Sequence, residues 1–136
     1  MKYLSEYMEQ AQSQAFENAG AFFAFSNKQF HEKKKEGITY VNMGANLICP
    51  KDKARDLRAS LDTIYEAAIK QDVAENGIKV ISREYFNYEC QITCDTSEVF
   101  DAMESYKRLF PEMFTDEVIK SECKKAFALA VENDWF

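Results

Sequence analysis

Leu4, Tyr7, Met8, Ala11 and Ala15 recur at helical spacing, with Glu6, Glu9, Gln10, Gln14 and Glu17 between them, and Gly20 follows. This pattern predicts an amphipathic helix over roughly residues 3–18. Ala21-Phe-Phe-Ala-Phe25 is too short and too apolar for periodicity to decide between a buried strand and the start of a second helix. Ser26-Asn-Lys-Gln29 has the form of a capping box, so a helix is expected from Asn27 until Gly37, with Lys33 to Lys35 as a solvated face near its carboxyl end. Ile38 to Asn42 and Asn46 to Cys49 read as a β-hairpin around Met43-Gly44-Ala45. Pro50 suits the first position of a helix, where its missing N–H costs nothing. Ala54, Leu57, Leu61, Ile64, Tyr65, Ala68 and Ile69 then form an apolar stripe that predicts a helix of roughly 25 residues, ended by Asn76-Gly77.

The stretch from Ile78 to Ile92 is the centre of interest. Ile78, Ile81, Tyr85, Tyr88 and Ile92 lie at spacings of three and four and would share one buried face of a single helix. Glu84, Asn87 and Gln91 fall along one border of that face, and Glu89 beside Ser82 falls on the other. Beyond it, Asp95 and Glu98 suggest another capping box and a short helix through Val99, Met103 and Tyr106, interrupted at Pro111. Thr115-Asp-Glu117 opens a last helix with Ile119, Cys123, Ala126, Phe127 and Ala130 on one face, and Trp135-Phe136 is expected to dock onto the body. The expected fold is α+β and predominantly helical: about five to six helices with a small antiparallel hairpin or sheet at about 38–49, with 21–25 as an optional strand.

Composition narrows this picture. With 136 residues, 46% of them hydrophobic, the chain fits a single globular domain over residues 1–136, since a chain of this size buries about two-thirds of its unfolded surface. A net charge of −6 disfavours direct nucleic-acid binding, whose affinity comes from neutralising phosphates, and suits a basic protein partner instead. The amino end has no apolar signal core and no segment has the length of a membrane span, so the expected location is the cytoplasm. Cys49, Cys90, Cys94 and Cys123 contain no CxxC pair and His31 is the one histidine, so neither a metal nor a cofactor is implied and no residue is assigned as catalytic. Glycine-rich phosphate loops and dinucleotide fingerprints are absent.

Two readings of the central stretch remain. Carboxylates at the border of a core can act as general acid or base, or hold a divalent cation, which makes Glu84, Asn87 and Glu89 the site of a small enzyme or ligand-binding protein. The competing reading pairs Glu84 and Glu89 with Arg83, Lys79 or bases on a neighbouring helix. The blocks Gly20 to Phe30, Tyr40 to Lys51 and Glu75 to Glu89 resemble a family of short uncharacterised proteins encoded by phages, prophages and mobile elements of gut-type bacteria, over roughly residues 15–105. That resemblance implies no activity. Its central helix has an Arg-Glu-Leu-x-Asn-His-Glu character, matched here by Arg83, Glu84, Tyr85, Asn87, Tyr88 and Glu89. Tyr88 stands where the histidine would be, which removes the strongest ligand or base but preserves an aromatic contact with a hydrogen-bonding tip. The favoured expectation is therefore a non-enzymatic acidic binding protein that inhibits a host defence nuclease or sequesters a partner, with Glu84, Asn87, Tyr88, Glu89 and Gln91 as binding candidates.

Overall fold

The computed structural model describes all residues, Met1–Phe136. The fold is α+β and predominantly helical, with seven helices and one small sheet in the order α1 (Leu4–Ala19), β1 (Phe22–Phe23), α2 (Asn27–Lys33), β2 (Tyr40–Asn42), β3 (Leu47–Pro50), α3 (Ala54–Asn76), α4 (Lys79–Asn87), α5 (Cys90–Thr93), α6 (Ser97–Leu109) and α7 (Asp116–Asn133). No helix is long and apolar enough to cross a membrane. The chain divides into two compact units, Ser5–Ala67 and Met1–Leu4 with Ala68–Phe136.

In the unit Ser5–Ala67 the sheet order is β1-β3-β2, antiparallel throughout. The undecided apolar run 21–25 is thus an edge strand, pairing Phe22 with Ile48 and Phe23 with Leu47. Leu47, Cys49 and Leu57 are buried, with Ala15, Phe16, Ala19 and Leu61 packed against them. Ser26 caps α2 by accepting from the Gln29 amide at 3.2 Å, while Gln29 Oε1 reaches one residue further back than a simple capping box and accepts from the Phe25 amide at 2.7 Å. This helix stops at Lys33 rather than Gly37, and Lys33 Nζ donates to the Phe23 carbonyl at 2.7 Å. Pro50 does not open α3. It ends β3 opposite Tyr40, and a turn over Lys51 to Lys53 precedes the helix. A proline is tolerated there because it closes the strand, where one ladder donor fewer costs little.

In the other unit, α4 packs against α5, α6 and α7. The stretch 78–92 is two helices rather than one. Glu89 adopts a left-handed backbone, φ 54°, between α4 and α5, and Cys94 does so again at φ 59°. The expected stripe is not buried throughout: Val80, Ile81, Tyr85 and Cys90 are buried, whereas Ile78, just before α4, and Tyr88 and Ile92 on either side of the break are exposed. The start of α6 also differs. Thr96 is its N-cap residue, and Asp95 precedes it with Oδ1 accepting from the Ser97 amide at 2.9 Å, a local turn in place of a capping box. Thr115 caps α7 as expected, accepting from the Val118 amide at 3.2 Å, with Asp116 and Glu117 in the first turn. At the carboxyl end the Trp135 ring meets Phe86 edge-on at 5.6 Å and Phe136 meets Phe127 at 6.3 Å, although both terminal rings keep an exposed side.

The cap bond of α7 sets a measurable expectation. Thr115→Ala should lower stability by about 1 kcal/mol, whereas Thr115→Ser, which keeps the oxygen, should stay within about 0.5 kcal/mol of the parent in urea unfolding.

Candidate functional site

The central segment does bring polar side chains together, but around a residue that periodicity alone does not mark. Asp72 lies on α3, one turn after Ala68 and Ile69, and has no exposed surface. Arg83 of α4 meets it in a two-point pair, Nη1 to Oδ1 at 2.8 Å and Nη2 to Oδ2 at 3.0 Å. The remaining guanidinium donors are also placed. Nε donates to Glu84 Oε1 at 2.9 Å, Nη1 to the Lys2 carbonyl at 2.9 Å, and Nη2 to the Tyr106 hydroxyl at 3.4 Å. Tyr106, from α6, in turn donates to Asp72 Oδ2, and Asn76 Nδ2 donates to Asp72 Oδ1 at 2.8 Å. The Arg83 guanidinium also stands 6.0 Å from the centre of the Tyr3 ring.

All five N–H donors of Arg83 and both oxygens of Asp72 are engaged, which is the condition under which two charges can be held away from water. Burial alone lowers the Arg83 pKa. Hydrogen bonds to Asp72, Tyr106 and Glu84, together with the Asp72 charge, outweigh that and hold it above its ordinary value. For Tyr106, burial and the bond to Asp72 raise the phenol well above its usual range. The guanidinium therefore stays charged and the phenol neutral near pH 7.

The sequence-predicted residues separate around this network. Glu84 is buried at its edge, with Oε1 taken by Arg83 and Oε2 by Asn87 Nδ2 at 3.3 Å. The local pairing of Glu84 with Arg83 is thus present. Tyr88 and Glu89 are exposed at the helix break, so Glu84 and Glu89 are not presented by one continuous helix as expected. Tyr88 sits among acids: partial burial and the charges of Glu84, Glu98 and Asp101 raise its phenol pKa. Gln91 Nε2 donates to the Trp135 carbonyl at 3.4 Å, while its Oε1 is enclosed without a hydrogen-bond donor. His31 is exposed on α2 beside the Phe30 ring. No group of three His, Cys, Asp or Glu side chains is arranged to hold a metal ion.

Asp72, Tyr106 and Asn76 are the members that sequence reasoning missed. The signal was an aspartate continuing the apolar stripe of α3, with Asn76 one turn later and Arg83 within reach across Gly77. A charge inside a stripe requires a buried partner. The thiols fall into the same unit except Cys49: Cys90 and Cys123 are buried and Cys94 is exposed. Burial, with lesser contributions from Cys90 and Glu122, pushes the Cys123 thiol up to about 11.

The profile of a family of unknown function (DUF7659) matches residues 4–128. Neither a curated protein nor a solved structure matches the chain significantly.

Two outcomes are expected. Arg83→Ala, which strands the Asp72 charge, should cost about 3–5 kcal/mol in urea unfolding, and Tyr106→Phe about 1–3 kcal/mol, with the double variant less than additive because both act on Asp72. The unfolded Cys123 thiol ionises near its ordinary value of 9.0 and the folded one near about 11, so above pH 9 the unfolded chain binds fewer protons. Its contribution to stability is complete below pH 9 and is lost as pH rises through about 11; Cys123→Ala should flatten the urea midpoint across that window.

Proposed function

Because the chain belongs to a family of unknown function (DUF7659), which brings a lineage without an activity, we propose its function from its own chemistry: a non-enzymatic, acidic binding protein of phage or mobile-element type, acting in the cytoplasm on a basic host protein such as a defence nuclease. The observation that carries this reading is the division of labour along the central segment. Glu84 is committed to Arg83 and Asn87 inside the unit, while Tyr88 and Glu89 face solvent. Glu98 and Asp101 are close enough to Tyr88 to raise its pKa, so an exposed aromatic stands within a field of carboxylates.

Tyrosine is favoured at the centre of protein interfaces because it offers a large rigid contact and a hydrogen-bonding tip. Carboxylates around it complement a basic groove and steer the approach of a basic partner. The excess of 23 acidic over 17 basic side chains gives the whole chain the same bias. A nuclease channel that binds phosphates is a surface of this basic kind, and an acidic protein occupying it excludes its substrate. Asn87, exposed next to Tyr88, adds an amide at the border of the patch, while Gln91 is turned toward the Trp135 carbonyl.

Capture from host lysate with the wild-type chain should enrich a basic nucleic-acid-binding protein. The complex should weaken steeply between low and high salt and be lost with Tyr88→Ala/Glu89→Lys, a change confined to exposed positions. Equal capture by the variant, or no specific partner together with no effect on host defence, would overturn the proposal.

A further inference from the structure

A second feature lies within the unit formed by Met1–Leu4 and Ala68–Phe136. Helix α7 places Lys120, Cys123, Lys124 and Phe127 on one face, at spacings of three and four, and these four side chains line an open cleft with Tyr85 and Phe100. The cleft has a volume of about 410 Å³, within the range of about 300–1,000 Å³ over which proteins hold small ligands. Its wall is predominantly apolar. The Cys123 thiol, pushed up to about 11, and the Tyr85 phenol, raised by burial, are both neutral near pH 7 and place no charge in it.

The two charged side chains that line the cleft, Lys120 and Lys124, are both basic. Of the carboxylates around it, Asp116 accepts from Lys107 at 2.9 Å and also feels the charge of Lys120, Glu122 accepts from Lys125 at 3.2 Å, and Asp95 accepts from the Ser97 amide at 2.9 Å. Lys107, not Lys120, makes the direct contact with Asp116, so both lining lysines keep ammonium groups available beside an apolar wall in a protein of net charge −6. An apolar body beside the aromatic rings and a single anion beside the lysines would satisfy both features at once.

We propose that this cleft binds a single-chain amphiphile with one anionic head, its tail against Tyr85, Phe100 and Phe127 and its head held by Lys120 and Lys124. Binding of this kind requires neither a catalytic group nor the Tyr88 surface. Because both lysines are exposed, replacing them leaves the core intact. Cys94, an exposed thiol on the cleft lining, provides a built-in reporter of occupancy.

Calorimetric titration of the full chain, below micellar concentrations, with decanoate, decyl phosphate, decanol and decyltrimethylammonium tests the proposal. Saturable one-to-one binding of decanoate or decyl phosphate is expected, with the stronger of the two identifying the head group; decanol should bind more weakly and the cation not at all. Lys120→Gln/Lys124→Gln should weaken the anion by about tenfold, the combined effect of two solvent-screened ion pairs, with an unchanged melting temperature. The bound anion should also slow alkylation of Cys94 by iodoacetamide in the wild type. Failure of both anions to bind, equal binding of decanol or the cation, or an unaffected lysine variant would overturn it.

Discussion

An arginine and an aspartate held together out of water impose the strictest condition in this protein. Removing each ion from water costs several kcal/mol, and the cost is offset only where every donor and acceptor finds a partner. Asp72 and Arg83 meet that condition through local groups, Asn76 on α3 and Glu84 on α4, and through remote ones, Tyr106 on α6 and the Lys2 carbonyl near the amino end. The geometry is correspondingly demanding. A guanidinium is a rigid planar fork, so a carboxylate facing it squarely also sets the direction from which the phenol and the backbone carbonyl must approach.

The network decides what the neighbouring side chains are able to do. With Glu84 drawn inward, its carboxylate orients Arg83 and holds Asn87, a supporting role for a residue type often associated with catalysis. The left-handed turn at Glu89, directly after the exposed Tyr88, then redirects the chain so that Cys90 is buried and Ile92 is exposed. A left-handed backbone at a non-glycine residue costs about 1–2 kcal/mol, and here it accompanies the change from an inward to an outward set of side chains. Local strain, core formation and the exposed aromatic are thus parts of one arrangement.

Charge is distributed unevenly in the same unit. Tyr88 stands among Glu84, Glu98 and Asp101, whereas the cleft along α7 carries Lys120 and Lys124 beside apolar and neutral thiol side chains. Acidic side chains thus surround Tyr88, while the charged side chains lining the cleft are basic.

Short-range physics explains what could be read directly from the chain. Helical periodicity located α1, α3 and α7, the Ser26 and Thr115 oxygens marked two helix starts, and Gly44 with its β-branched flanks marked the hairpin. Each of these depends on residues within a few positions of one another. Tertiary structure decided the rest, because the deciding partners are remote in sequence: β1 needed β3 to become a strand, Pro50 needed Tyr40 opposite it, and the run from Ile78 to Ile92 needed α6 and α7 before its buried side was defined. The sequence by itself determined a mostly helical α+β chain, its net acidity and the concentration of polar groups near residue 84. Only the fold determined that Asp72 would claim Arg83, since a buried charge takes the partner that three-dimensional proximity supplies, and that Glu84 would lie inward beside that pair while Tyr88 and Glu89 face solvent.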